Sequence, residues 1–86
     1  MTPTDALKAI RGLVGANRVR ITGHAYQRMN QRGVTYEDVR YGLYNAISCA
    51  WRPKEQSWKV ESRDREGEAL TLAVVIEDSV VVVTVF

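Results

Sequence analysis

One cysteine, one histidine, two prolines and six glycines are all that the 86 residues hold of these types, and each scarcity excludes something. A lone Cys49 cannot close an intramolecular disulfide. With a single histidine beside it, the chain lacks the ligands from which a tetrahedral zinc site is usually built. So little proline and glycine excludes a collagen-like chain or a low-complexity linker. Long apolar runs are missing as well: Leu72-Ala73-Val74-Val75-Ile76 and Val80-Val81-Val82-Val83 fall far short of the ~20 residues that a membrane helix needs. The opening Met1-Thr2-Pro3-Thr4-Asp5 has neither the charged start nor the apolar stretch of a signal peptide. These absences together lead us to expect a cytoplasmic protein with no membrane partner, no metal and no cofactor.

What is present is one small domain, residues 1–86, of ordinary globular composition, 45% hydrophobic and 26% charged. The net charge of +2 conceals a polarity. All twelve basic residues lie between Lys8 and Arg65, whereas residues 66–86 carry four acids and no base. Lys8, Arg11, Arg18, Arg20, Arg28 and Arg32 follow one another with no acid between them. Nine of the twelve bases are arginine, whose planar fork matches phosphate oxygens. A polyanion partner is the expectation, set against the simpler reading of scattered solvated charges.

The hydrophobic period divides the chain. Thr2-Pro3-Thr4-Asp5 opens a first helix with Leu7, Ile10 and Val14 in a stripe, ending at Gly15-Ala16-Asn17. Arg18 to Thr22 alternates polar and apolar residues, which fits a short strand or an extended link. A second helix is expected from about Gly23 to Arg32, capped by Thr22 and followed by Gly33. Thr35-Tyr36-Glu37-Asp38 starts a third, expected to run to about Ala46. From Ile47 the period becomes two, giving strands at 47–52, 57–63, 69–76 and 80–86, the last two as a hairpin around Glu77-Asp78-Ser79. The expected class is α+β: about three N-terminal helices on one face of a C-terminal antiparallel sheet of three to four strands. Leu70, Leu72, Val74 and Ile76, with Trp58 and Val60, should face the helices, leaving Lys59, Glu61 and Arg63 on the open side.

Chemistry concentrates on the second helix, where His24, Arg28 and Arg32 recur every four residues in one polar row beside the apolar pair Ala25 and Met29. In RNA cleavage by internal transfer, a base takes the 2′-hydroxyl proton and an acid protonates the departing 5′-oxygen. Histidine fills either role near neutral pH, and arginine stabilises the phosphorane without a metal. The competing structural reading makes His24 a partial cap and leaves Arg28 and Arg32 solvated, or paired with Glu37 or Asp38.

His24-Ala25-x-x-Arg28-Met29-x-x-Arg32-Gly33-Val34, the Thr-started helix with Asp38-Val39, and the terminal Thr84-Val85-Phe86 resemble the domain-of-unknown-function 4258 family, from about Ile21 onward. That family is generally placed with RelE-like and BrnT-like ribonuclease toxins of bacterial toxin–antitoxin pairs. Leu13 to Arg20, the Trp58-started strand and the Val74–Val80 hairpin are similar to MqsR-like toxins, which are also RelE-like messenger-RNA interferases. The resemblance implies a RelE-like fold, metal-independent endoribonuclease activity, messenger RNA as substrate, free or on the ribosome, and a cognate antitoxin protein as partner. It also carries Lys59, which follows the matching tryptophan, into the site. The candidate catalytic residues are then His24, Arg28 and Lys59, with Arg18, Arg20, Arg32, Arg52 and Arg63 as RNA-binding residues. The tyrosine of such toxins' penultimate strand is replaced near Leu70-Thr71-Leu72, which motivates the alternative of a non-catalytic RNA- or protein-binding regulator. Sequence-specific DNA binding by this chain alone is not expected, since the third helix offers only Arg40 to a base edge. Trp51 and Trp58 read as core residues or as platforms for RNA bases, and Cys49 as a small buried hydrophobe.

Overall fold

The computed structural model describes residues 1–86, arranged as α1 (Pro3–Gly15), β1 (Val19–Ile21), α2 (Gly23–Arg32), α3 (Tyr36–Tyr44), β2 (Ser48–Arg52), β3 (Ser57–Arg63), β4 (Ala69–Ile76) and β5 (Val80–Val85). Each helix begins where a threonine accepts a backbone N–H. Thr2 and Asp5 close a reciprocal capping box on α1, Thr35 and Asp38 close another on α3, and Thr22 accepts from the Ala25 N–H on α2. Gly33 ends α2 at φ +66°, in the left-handed region that a side chain would strain.

The strands form one sheet in the order β1-β5-β4-β3-β2. The class is α+β as expected, but the sheet differs from an antiparallel one of three to four strands. It has five strands, and β1 pairs with β5 in parallel, Val19 opposite Val80 and Ile21 opposite Val82. Since β1 lies between α1 and α2 in the chain, the helices are not all N-terminal to the sheet. The alternation over Arg18 to Thr22 left a short strand and an extended link both open; the partner that makes it a strand lies some sixty residues away. The third helix also stops at Tyr44, short of Ala46.

All three helices cover the same face. Ala6, Ile10 and Val14 of α1, Ala25 and Met29 of α2, and Val39 and Leu43 of α3 join Trp58, Val60, Leu70, Leu72, Val74, Val80, Val82 and Val85 in one core. On α1 the fully buried stripe begins at Ala6, with Leu7 only partly covered. Gly42 brings α3 against the sheet: a β-carbon there would meet Leu70 Cδ2 at 2.8 Å, and the Gly42 carbonyl accepts from Ser62 Oγ at 2.6 Å.

One irregularity governs the site. Leu72 pairs with Val85 and Ala73 with Thr84, but Val74 pairs with Val82, leaving Val83 as a bulge. Val82 and Val85 are therefore both buried although three residues apart. The N-cap of α2 seals the bulge, the Thr22 N–H donating to the Val82 carbonyl at 3.1 Å and its hydroxyl to the Val83 carbonyl at 3.3 Å.

Candidate functional site

The face of the sheet turned away from the helices carries the charge. Register and alternation put Arg20 of β1, Arg52 of β2, and Lys59 and Arg63 of β3 on it, because Arg20 lies opposite Val81, Lys59 opposite both Ala50 and Ala73, and Arg63 opposite Ala69. Four cations thus share a strand surface with one carboxylate, Glu61. The floor between them is small or β-branched: Ala73, Val75, Val81 and Thr84. Ser57, opposite Arg52, is only 2% exposed, and its hydroxyl has no hydrogen-bond partner.

The cations are lightly held. Arg52 lies 3.2 Å from Glu55, Lys59 3.9 Å from Glu61 and Arg20 4.0 Å from Glu77, while an Arg63 guanidinium N–H donates to the Gly67 carbonyl at 3.0 Å. Such exposed pairs contribute little and are screened by salt. Arg52 and Lys59 also converge on one ring, lying 5.3 and 5.8 Å from the centre of Phe86.

Strict alternation from Val80 would turn Phe86 toward the helices. The bulge at Val83 shifts the parity, so Val85 enters the core and Phe86 lies on the open side, 38% exposed. Its N–H donates to the Thr71 carbonyl at 3.0 Å. Sequence reasoning gave Phe86 no role; the only local signal is an aromatic immediately after a core valine, and that acquires meaning only once the bulge is known.

The α2 row stands on the other side of the sheet. His24, in the first turn, is exposed and makes no side-chain hydrogen bond or ion pair. Arg28 is half-buried, its Nε donating to the Val85 carbonyl at 3.0 Å and a terminal nitrogen to Gln31 Oε1 at 3.1 Å. Arg32 is exposed in the last turn, and Arg18 is exposed in the link before β1. Neither Arg28 nor Arg32 pairs with Glu37 or Asp38; Asp38 instead meets Arg65 at 3.3 Å. His24, on a helix of the covered side, and Lys59, on the open face of β3, therefore stand on opposite sides of the sheet. Their link is the end of β5, where Arg28 holds Val85 and Lys59 lies beside Phe86.

The remaining candidates lie off the open face. Trp58 is buried, and Trp51, 45% exposed, meets it edge to face with centroids 5.3 Å apart. Both share the parity of the helix-covered face and line an apolar cleft of about 460 Å³ with Met1, Pro3 and Ile76. Burial pushes the Cys49 thiol up, and its Sγ lies 3.4 Å from the Pro3 carbonyl, an unreactive setting. Arg40 donates to the Val14 carbonyl at 3.1 Å and so supplies α1 with the C-terminal cation that its own last turn lacks. No three His, Cys, Asp or Glu side chains gather as a metal site, and no helix is long and apolar enough to cross a membrane.

No curated protein matches the chain. The family described as Domain of unknown function (DUF4258) matches residues 21–86, the span that contains α2, α3 and every strand from β2 to β5, and the chain belongs to that family.

Proposed function

We propose that the protein is a small metal-independent endoribonuclease of the RelE-like toxin kind, the growth-inhibiting member of a bacterial toxin–antitoxin pair. The observation that carries the reading is the open sheet face, where the strands present Arg20, Arg52, Lys59 and Arg63 with one strand carboxylate, Glu61, and two from the flanking turns, Glu55 and Glu77, and no helix covers them. Phosphodiesters laid on such a surface meet cations from both edge strands and from β3, and displace weak pairs rather than buried ones.

In this reading RNA crosses the open face and turns at the rim where β5 ends. His24 and Arg28 act there, one helical turn apart. The imidazole takes the 2′-hydroxyl proton as the O2′–P bond forms, and the resulting imidazolium returns a proton to O5′ as the P–O5′ bond breaks, leaving a 2′,3′-cyclic phosphate and a 5′-hydroxyl. Arg28 stabilises the charge gathered on the phosphorane. Lys59, on the open face, holds the chain rather than the reacting proton. Arg18 and Arg32 extend the cationic path beside α2.

Purified protein should cleave single-stranded RNA with EDTA present, and His24→Ala should remove at least 100-fold of the rate, the ordinary worth of a general acid–base group. Expression without its antitoxin should arrest bacterial growth, and His24→Ala should relieve the arrest. RNA left intact by the folded protein, alone and in a translating extract, sinks the enzyme reading.

A second reading keeps the surface and drops the chemistry: a non-catalytic RNA- or protein-binding regulator of the same fold. What favours it is Arg28, whose guanidinium is spent on the Val85 carbonyl and Gln31. In that case expression leaves growth unchanged while RNA or protein binding persists.

A further inference from the structure

Phe86 is the one aromatic ring on the open face, and five features of the fold put it there. The bulge at Val83 reverses its parity, Thr22 seals the bulge, Arg28 fixes the Val85 carbonyl, the Phe86 N–H is tied to Thr71, and the Arg52 and Lys59 cations lie over the ring. A phenyl ring left 38% exposed beside a half-buried Arg52 forgoes burial that its size would favour. Two cations drawn to one ring within 6 Å also repel each other, and only Glu55 and Glu61 offset them.

We propose that Phe86 is a base-stacking platform, a nucleotide subsite in which a single-stranded RNA base lies on the ring while Arg52 and Lys59 take the phosphates on either side. The inference rests on the RNA reading above and names the contact that distinguishes a nucleic acid from any other polyanion. Cations alone hold phosphates of any chain; a π-face selects polymers that carry bases, and selects unpaired bases, since those in a duplex are already stacked. The platform is tolerant of sequence, because every base has a π-face. Phe86 binds and positions; it takes no part in proton transfer.

The experiment compares two short 2′-O-methylated RNAs, which cannot be cleaved by internal transfer. One carries bases throughout, and the other has the same phosphates with abasic sugars in its middle. Binding to the full chain is followed by fluorescence anisotropy at fixed salt, for the wild type, Phe86→Leu and Phe86→Trp, each checked for an unchanged melting transition. The wild type should prefer the base-bearing strand by roughly 5- to 150-fold, the worth of one base–aromatic stack. Phe86→Leu should lose that preference while binding the abasic strand as the wild type does, and Phe86→Trp should retain it. If the wild type binds both strands alike, or polyglutamate displaces the base-bearing strand as readily as RNA does, the face is an anion surface and the platform is wrong, while RNA cleavage can still stand. If Phe86→Leu weakens both strands equally, the ring only holds Arg52 and Lys59 in place and the proposal is overturned. If the wild type binds neither strand, the RNA reading fails with it.

Discussion

On β3, Val60 is completely buried beneath the helices, while Lys59 and Glu61 on either side of it stand in solvent. On β4 the side chains alternate likewise, Leu70, Leu72 and Val74 entering the core and Thr71 and Val75 turning away from it, although the small Ala73 on the open side is also buried. One strand sequence thus writes two surfaces: an apolar one that the fold needs, and a cationic one with no structural requirement for its charge. Had the charges served folding, they would be paired with buried partners; instead the pairs of Arg20 and Lys59 are exposed and as long as 4.0 and 3.9 Å, and only the half-buried Arg52 is held closely, 3.2 Å from Glu55. That contrast is the reason to look for function on the open side.

The largest effect expected from breaking the comparison is on the covered face. Leu72→Ala should cost about 2–5 kcal/mol in denaturant unfolding, because a fully buried leucine leaves a cavity. Lys59→Ala, one face away, should stay within about 0.5 kcal/mol. A comparable loss from both would erase the distinction between the faces. Gly42→Ala tests the closest approach of helix to sheet: its methyl group must displace Leu70 or move α3, costing about 1–3 kcal/mol as overpacking does. The open face has the opposite signature, affinity without stability. Arg20→Ala and Arg52→Ala should each weaken single-stranded RNA binding across all sequences and reduce the salt slope by about 0.7; an unchanged slope would remove that arginine from the interface.

Smaller still is the effect at the helix starts. Thr35→Ala removes one half of the α3 capping box and should cost about 1 kcal/mol. The Thr35 backbone N–H, aided by its hydroxyl and by Arg65, holds the Asp38 carboxyl below its ordinary value of 3.8. The folded value being the lower one, this contribution is complete above the ordinary value and is lost as pH falls through the folded value. Asp38→Asn should therefore flatten that part of the acid limb of a stability-against-pH curve, and leave open-face RNA binding unchanged.

Much of this was legible locally. Thr2, Thr22 and Thr35 announced three helix starts, and Gly33 a helix end, because capping and left-handed turns involve residues only a few positions apart. The His24, Arg28 and Arg32 row followed from helical spacing, and the exposure of Lys59, Glu61 and Arg63 from strand alternation. What spacing did not reveal was the task of Arg28, since the Val85 carbonyl that it holds lies 57 residues along the chain. Alternation did place Trp58 on the covered side, but it did not reveal that Trp51 joins it there while Phe86 faces the cations.

The sequence by itself determined the three helices, the four C-terminal strands and the two-faced character of β3 and β4, because each is a matter of period and of neighbours in the chain. Only the tertiary structure decided that Val19 to Ile21 is a fifth strand, parallel to β5, and that Phe86 belongs to the open face. Both depend on pairing between distant segments. A three-residue strand exists only where an edge is offered to it, and a bulge is one extra residue relative to a partner strand, which a chain read on its own does not contain.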